Sequence, residues 1–212
     1  RRTRGEGNDA TLNTMANLGV CYRDAGRLPE AMPLLTAAFA AARQFGRLIW
    51  VGEELYLIHV NALRRAEALA VIVEMDAVAR ANLPADSLEL ALRCHANGRG
   101  CLRVMGRKEA EPYLREAYAI RRKLAPDVWT TYDTQFLLGF SILAQGRREE
   151  AEPILAEAHA ELVARRAQQP KWPQLQTAHI ELLLKHCEQQ KWQPELDHWR
   201  AELAKLREFR KK

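Results

Sequence analysis

The 212-residue sequence has no apolar run approaching the ~18 residues of a membrane-spanning helix. That argues against insertion into a bilayer by this segment. Its four cysteines, Cys21, Cys94, Cys101 and Cys187, form no Cys-x-x-Cys pair. Neither a zinc ribbon nor a secreted disulfide framework is therefore expected. Val, Ile and Thr are too sparse and scattered to suggest a sheet. The N-terminus is rich in Arg but lacks the apolar stretch of a signal peptide, so a reducing, cytoplasmic setting is expected. The chain begins at Arg1 without a methionine, which leads us to expect a segment of something longer.

Charge of one sign is also missing from the body of the chain. The formal net charge is +5, but Arg1, Arg2, Arg4, Arg210, Lys211 and Lys212 supply six cations at the two ends. Without them the remainder is close to neutral and mixed. A nucleic-acid surface needs Lys and Arg clustered along one face, so no nucleic-acid partner is expected.

What is present is helix-forming material. The sequence is 48% hydrophobic, and Ala, Leu, Glu, Arg and Gln dominate it, all good helix formers. It also repeats. Glu30-Ala31-Met32-Pro33-Leu34-Leu35, Glu109-Ala110-Glu111-Pro112-Tyr113-Leu114 and Glu150-Ala151-Glu152-Pro153-Ile154-Leu155 share one pattern, with a worn copy at Glu67-Ala68-Leu69-Ala70-Val71-Ile72. Their glutamates step by 37, 42 and 41 residues, a solenoid signature.

Three copies follow a Gly-Arg pair, at Gly26-Arg27, Gly106-Arg107 and Gly146-Arg147. Each glycine is expected to be the left-handed residue that ends one helix before the next begins. Ahead of the first, Met15, Leu18, Gly19 and Tyr22 fall at i, i+3, i+4 and i+7, on one helical face. Gln135, Leu138, Gly139 and Ile142 repeat that spacing. Ala31, Leu35 and Ala38 give the facing stripe, matched by Ala151, Leu155 and Ala158. A single stripe per helix cannot be buried alone, so such hairpins must stack. The prolines at 33, 112 and 153 should each remove one backbone bond and kink the second helix locally.

Leu18-Gly19-x-x-Tyr22 followed by Gly26, Ala31, Leu35 and Ala38 resembles a tetratricopeptide repeat (TPR). The long step is similar to that of the kinesin-light-chain-like subclass. Residues 110–162, with Asn13–Gly19 and Tyr22–Arg27, also resemble the C-terminal repeat region of bacterial serine/threonine protein kinases. The resemblance implies an all-α fold, a right-handed α-α superhelix or TPR solenoid of about five hairpins. We place these at about 10–45, 47–83, 86–124, 127–168 and 172–209, between a basic extension (1–9) and a basic tail (210–212). In the second, Tyr56 and His59 stand in for the glycine and the aromatic. The last helix, with Leu196, Trp199, Leu203 and Leu206 on one side, suits a cap.

The resemblance further implies a concave groove, lined by the first helix of each hairpin, that takes a peptide or partner domain. The positions it assigns to the groove are Asn13, Asn17, Val20, Arg23, Asp24, Glu53, Asn97, Arg103, Glu181 and Lys185. Asparagine is a poor helix former, and Asn17 and Asn97 are read as equivalent sites gripping a ligand backbone. Phe136 and Phe140 leave two readings open, an apolar groove floor or contact with the neighbouring repeat. For Trp129 and Tyr132 we favour the second. The expected function is protein–protein interaction, with self-association into a homodimer as the alternative.

Catalysis is not expected. A kinase needs a phosphate loop, a strand lysine and two aspartates in set contexts, and none is present; Gly98-Arg99-Gly100 sits within a helical stretch. Cys94, His95, Cys101, His186 and Cys187 lack converging metal-ligand spacing, so neither metal nor cofactor is expected. Cys21 and Cys101 are read as equivalent small buried residues, and His59 as a packing histidine. The acidic pairs Glu53-Glu54 and Glu149-Glu150 read as solvated helix faces.

Overall fold

The structure, a computed structural model, describes residues 9–44, 49–168 and 171–209. The basic residues expected as terminal extensions lie outside them. The described residues form ten α-helices: α1 (Asp9–Asp24), α2 (Leu28–Gln44), α3 (Ile49–Asn61), α4 (Arg65–Asn82), α5 (Leu88–Arg103), α6 (Arg107–Leu124), α7 (Trp129–Leu143), α8 (Arg148–Ala164), α9 (Trp172–Gln190) and α10 (Gln193–Phe209). There is no strand among them. The chain divides into two compact units, residues 1–120 and 121–212.

The two helices of each hairpin are joined by one backbone device used five times. The amide of Arg27 donates to the carbonyl of Tyr22, Arg64 to His59, Gly106 to Cys101, Arg147 to Ile142 and Trp192 to Cys187. Each bond spans five residues, the six-to-one bond of a Schellman turn. The residue just before each donor is left-handed: Gly26 (φ 74°), Leu63 (58°), Met105 (62°), Gly146 (85°) and Lys191 (59°). The expectation for Gly106 is corrected here. Gly106 is the residue after the left-handed one, and Met105 carries the positive φ. Gly106 is small for a different reason: a Cβ there would stand 3.1 Å from the Cys101 carbonyl and from Leu69.

Within the hairpins, glycine sets the closeness of approach. A Cβ on Gly19 would lie 2.7 Å from Leu35 Cγ, one on Gly98 2.5 Å from Leu114 Cγ, and one on Gly139 2.8 Å from Leu155 Cγ. Each leucine is fully buried or nearly so, seated in the notch that a missing side chain leaves in the partner helix. In the second hairpin Tyr56 replaces that glycine. Its ring lies against α5 instead, and its hydroxyl donates to the Gly100 carbonyl at 2.9 Å.

In the first unit, Ala79, Leu90, Ala91, Cys94, Ala117 and Ile120 form a buried cluster from α4, α5 and α6, with Leu83 and Tyr113 packed against it. Ser87 caps α5, accepting from the Leu90 amide at 3.1 Å. In the second unit, every residue from Thr131 to Leu143 of α7 is buried, as expected of a helix apolar nearly all round. The α2, α6 and α8 helices run on through Pro33, Pro112 and Pro153.

Candidate functional site

In the first unit, α1, α3 and α5 are bridged edge to edge by charged side chains. Arg23 of α1 forms an ion pair with Glu54 of α3, and also holds Asp24 at 2.8 Å. Glu53 of α3 accepts from Arg93 of α5 at 3.1 Å. Below the second bridge lies a hollow of about 200 Å³. Tyr56, Leu57, Ile72 and Met75 form its floor, and Ala96, Asn97 and Gly100 its α5 wall. The hollow exists because Ala96 and Gly100 contribute almost no side chain.

Asn13 and Asn17 stand exposed on α1. Neither makes a side-chain hydrogen bond among the described residues. Val20 is half-buried beside them, while Asp24, Glu53 and Arg103 are exposed. In the second unit Glu181 and Lys185 are exposed on α9.

Asn97 is placed differently from the expectation. The two glycine–leucine notches fix the register: Gly19 corresponds to Gly98, so Asn17 corresponds to Ala96 and not to Asn97. One helical residue is a rotation of about 100°, so Asn97 and Asn17 do not share a face. Asn97 is accordingly 6% exposed, and its amide approaches Asp76 of α4 at 3.4 Å. The same offset corrects the cysteines. Cys21 corresponds to Gly100 and is exposed, whereas Cys101, matching Tyr22, is buried.

Asp76 also belongs to a charged network at the surface. Arg80 bridges Asp76 at 2.7 Å and Glu116 at 2.6 Å, beside the buried Cys94 thiol at 3.9 Å. The Arg80 guanidinium holds Glu116 below the usual carboxylate range, and its own pKa is raised by the two carboxylates. Burial pushes the Cys94 and Cys101 thiols up to about 12, which keeps both as neutral packing groups. His59 is buried too, and desolvation lowers its pKa.

Phe136 and Phe140 do not face a groove. Phe136 is fully buried and stacks on His179 of α9, ring centroids 4.0 Å apart and 10° from parallel. Phe140 meets His186 edge-on at 5.9 Å. Both aromatic faces are spent on the next hairpin, with Asp133 holding His179 at 3.0 Å. Tyr132 is likewise enclosed, by the Arg165 guanidinium 4.3 Å over its ring and by Arg122 at its hydroxyl. Trp129 is half-buried, its backbone amide bonded to Gln168.

Among the described residues no group of His, Cys, Asp and Glu is placed to hold a metal ion. No described helix is long and apolar enough to cross a membrane.

Residues 11–44 match the family model described as a tetratricopeptide repeat. Two crystal structures of a Podosopora anserina protein, described as a kinesin light chain with nearly identical TPR-like repeats, are similar in fold. One of them, a single-residue variant, has 20% identity and a TM-score of 0.62, covering 78% of this chain and 81% of that one. The other has the same identity and TM-score, covering 79% and 82%. No curated protein sequence matches. Tetratricopeptide repeats generally mediate protein–protein interaction. The chain carries a tetratricopeptide repeat at residues 11–44 and has the helical-hairpin fold of kinesin-light-chain-like TPR repeats.

Proposed function

We propose that the first unit binds an extended peptide across the faces of α1, α3 and α5. The observation that carries this reading is the pair Asn13 and Asn17, one helical turn apart on α1, exposed and uncommitted, in the unit that also holds the small hollow between α3, α4 and α5. A carboxamide can donate and accept at once, which suits the alternating amides and carbonyls of an extended backbone. The hollow walled by Ala96 and Gly100 is sized for one modest apolar side chain. Arg23 and Arg93, already paired with Glu54 and Glu53, frame the path and favour a ligand that offers both signs of charge. Asn97 contributes only to the wall of the hollow, and Phe136 and Phe140 are not part of this surface.

Selection of a displayed random peptide library on the whole chain tests it. Enriched peptides should bind Asn13→Ala/Asn17→Ala at least about tenfold more weakly, as expected for two lost hydrogen bonds, with the melting temperature unchanged. Equal binding by the double variant would overturn the reading, as would a selection that enriches nothing. A place beside a serine/threonine kinase domain is supported only by the resemblance of residues 110–162, 13–19 and 22–27. Self-association is a second reading with no surface to favour it, and light scattering across a concentration series decides it.

A further inference from the structure

A hollow in the second unit is remote in sequence from the peptide surface and has a different chemistry. It encloses about 500 Å³ between α8, the end of α9 and α10, a volume that suits a small organic molecule or a few side chains. Two indoles, Trp192 and Trp199, form its aromatic walls, and aliphatic side chains complete it. Three carboxylates line it, Glu152, Glu195 and Glu202, against one guanidinium, Arg148.

Arg148 shows what these walls accept. Its guanidinium lies 5.2 Å over the Trp192 ring, bonds Glu152 at 2.5 Å and pairs with Glu195. A planar cation held by an indole face and two carboxylates is the arrangement that favours cation binding. The supply of carboxylate is not exhausted by it. Glu195 Oε2 is buried and has no hydrogen-bond partner. Glu202 meets His159 at 3.5 Å and the exposed Lys205 at 2.6 Å. Burial lowers the His159 pKa, so at neutral pH that ring adds no positive charge. Its edge instead packs against Trp199, 5.5 Å between centroids.

We propose that this hollow is a binding site for an organic cation with an apolar body, its charge received between Glu195 and Glu202 and its body held by Trp192 and Trp199. The cation is an amine or guanidinium, whether free or at the end of a partner's side chain. The anionic excess rejects carboxylates of the same shape.

The test titrates the whole chain with tryptamine, with its neutral isostere indole-3-ethanol and with indole-3-acetate, reading the indole N–H resonances. Tryptamine should bind at least about tenfold more tightly than the alcohol, in keeping with a charge-assisted hydrogen bond. Indole-3-acetate should not bind, and the shifts should fall on Trp192 and Trp199. Glu195→Gln and, separately, Glu202→Gln should reduce the amine's advantage while leaving the alcohol's affinity in place. The second variant leaves the Arg148 pair intact and so guards against local unfolding. An acetylated Leu-Arg-Leu amide forms the other arm: tighter binding than tryptamine assigns the site to a protein segment, weaker binding to a free amine. Equal affinity for amine and alcohol overturns the proposal. So does the absence of saturable amine binding, or a response confined to the other tryptophans.

Discussion

Gly98 faces Leu114 so closely that a Cβ on the glycine would stand 2.5 Å from the leucine Cγ. In both residues the cause is the same: α5 and α6 approach through a gap where a side chain would otherwise be.

Gly98→Ala should therefore destabilise the chain, although alanine is the better helix former by about 1 kcal/mol. Forcing a methyl into a packed contact costs about 1–3 kcal/mol, and buried Leu114 has little room to yield. Leu114→Ala alone should cost about 2–5 kcal/mol. Urea denaturation of the double variant should show less than the sum, because the smaller residue at 114 relieves the clash at 98.

The turns predict the opposite sign for a glycine. Leu63 is left-handed (φ 58°) and 91% exposed, so it carries a backbone penalty of about 1 kcal/mol without compensating burial. Leu63→Gly should stabilise by up to about that amount. Gly146→Ala should destabilise by a similar amount, since φ is 85° there although no atom lies within 4 Å of the added Cβ. Thermal melts of both variants in parallel check the pair of signs.

Acid should weaken the Arg80–Glu116 link. Glu116 has a folded pKa below its usual value, caused first by the hydrogen bond from Arg80. Its contribution is thus full above the unfolded carboxylate pKa near 4.3 and is lost as pH falls through the lower folded value. Glu116→Gln should cost about 1 kcal/mol at pH 7, a figure already reduced for solvent screening of a partly exposed pair. The difference from the parent should shrink steadily below about pH 4. Urea midpoints from pH 7 to pH 2.5 measure it.

Thiol chemistry separates Cys21 from the rest. Cys21 is exposed, whereas Cys94, Cys101 and Cys187 are buried with their pKa values raised by desolvation. A disulfide reagent at pH 8 should modify one thiol per chain quickly in the native state and four on unfolding. Rapid loss of all four thiols would contradict the packing of α5 and α9.

Phe136→Leu distinguishes the two readings left open by the α7 aromatics. Loss of the His179 stack and some buried area should cost about 1–2 kcal/mol. Peptide capture should be unaffected, because the ring is enclosed by α9.

The helices and hairpins were legible because their signals are local. Apolar residues at helical spacing, and the repeated Glu-Ala-x-Pro-x-Leu, fall where α1–α2, α5–α6 and α7–α8 pack. The site was legible only in part. Asn17 and Asn97 look alike in composition, but register depends on which glycine meets which leucine, and that is a contact between helices. A slip of one residue was enough to send Asn97 and Cys101 inward and leave Cys21 outside. The α7 aromatics fit either reading until α9 supplied His179 and His186. Trp192, Trp199 and Glu195 gave no signal as a site, since Arg148 and Glu152 lie some forty residues away along the chain. The left-handed residues at Leu63, Met105 and Lys191 were hidden for another reason: glycine marks that conformation by preference and is not required for it.

The five reversals share one further property. The bond that closes each is made by backbone atoms alone, at left-handed residues 37, 42, 41 and 45 positions apart. The closing bond is therefore the same whatever side chain stands there, apart from the backbone cost of a non-glycine residue, and a block of chain cut from one reversal to the next carries compatible ends. Such a chain can grow or shrink by whole hairpins without inventing a new joint, so its evolutionary unit of change is the block and not the residue.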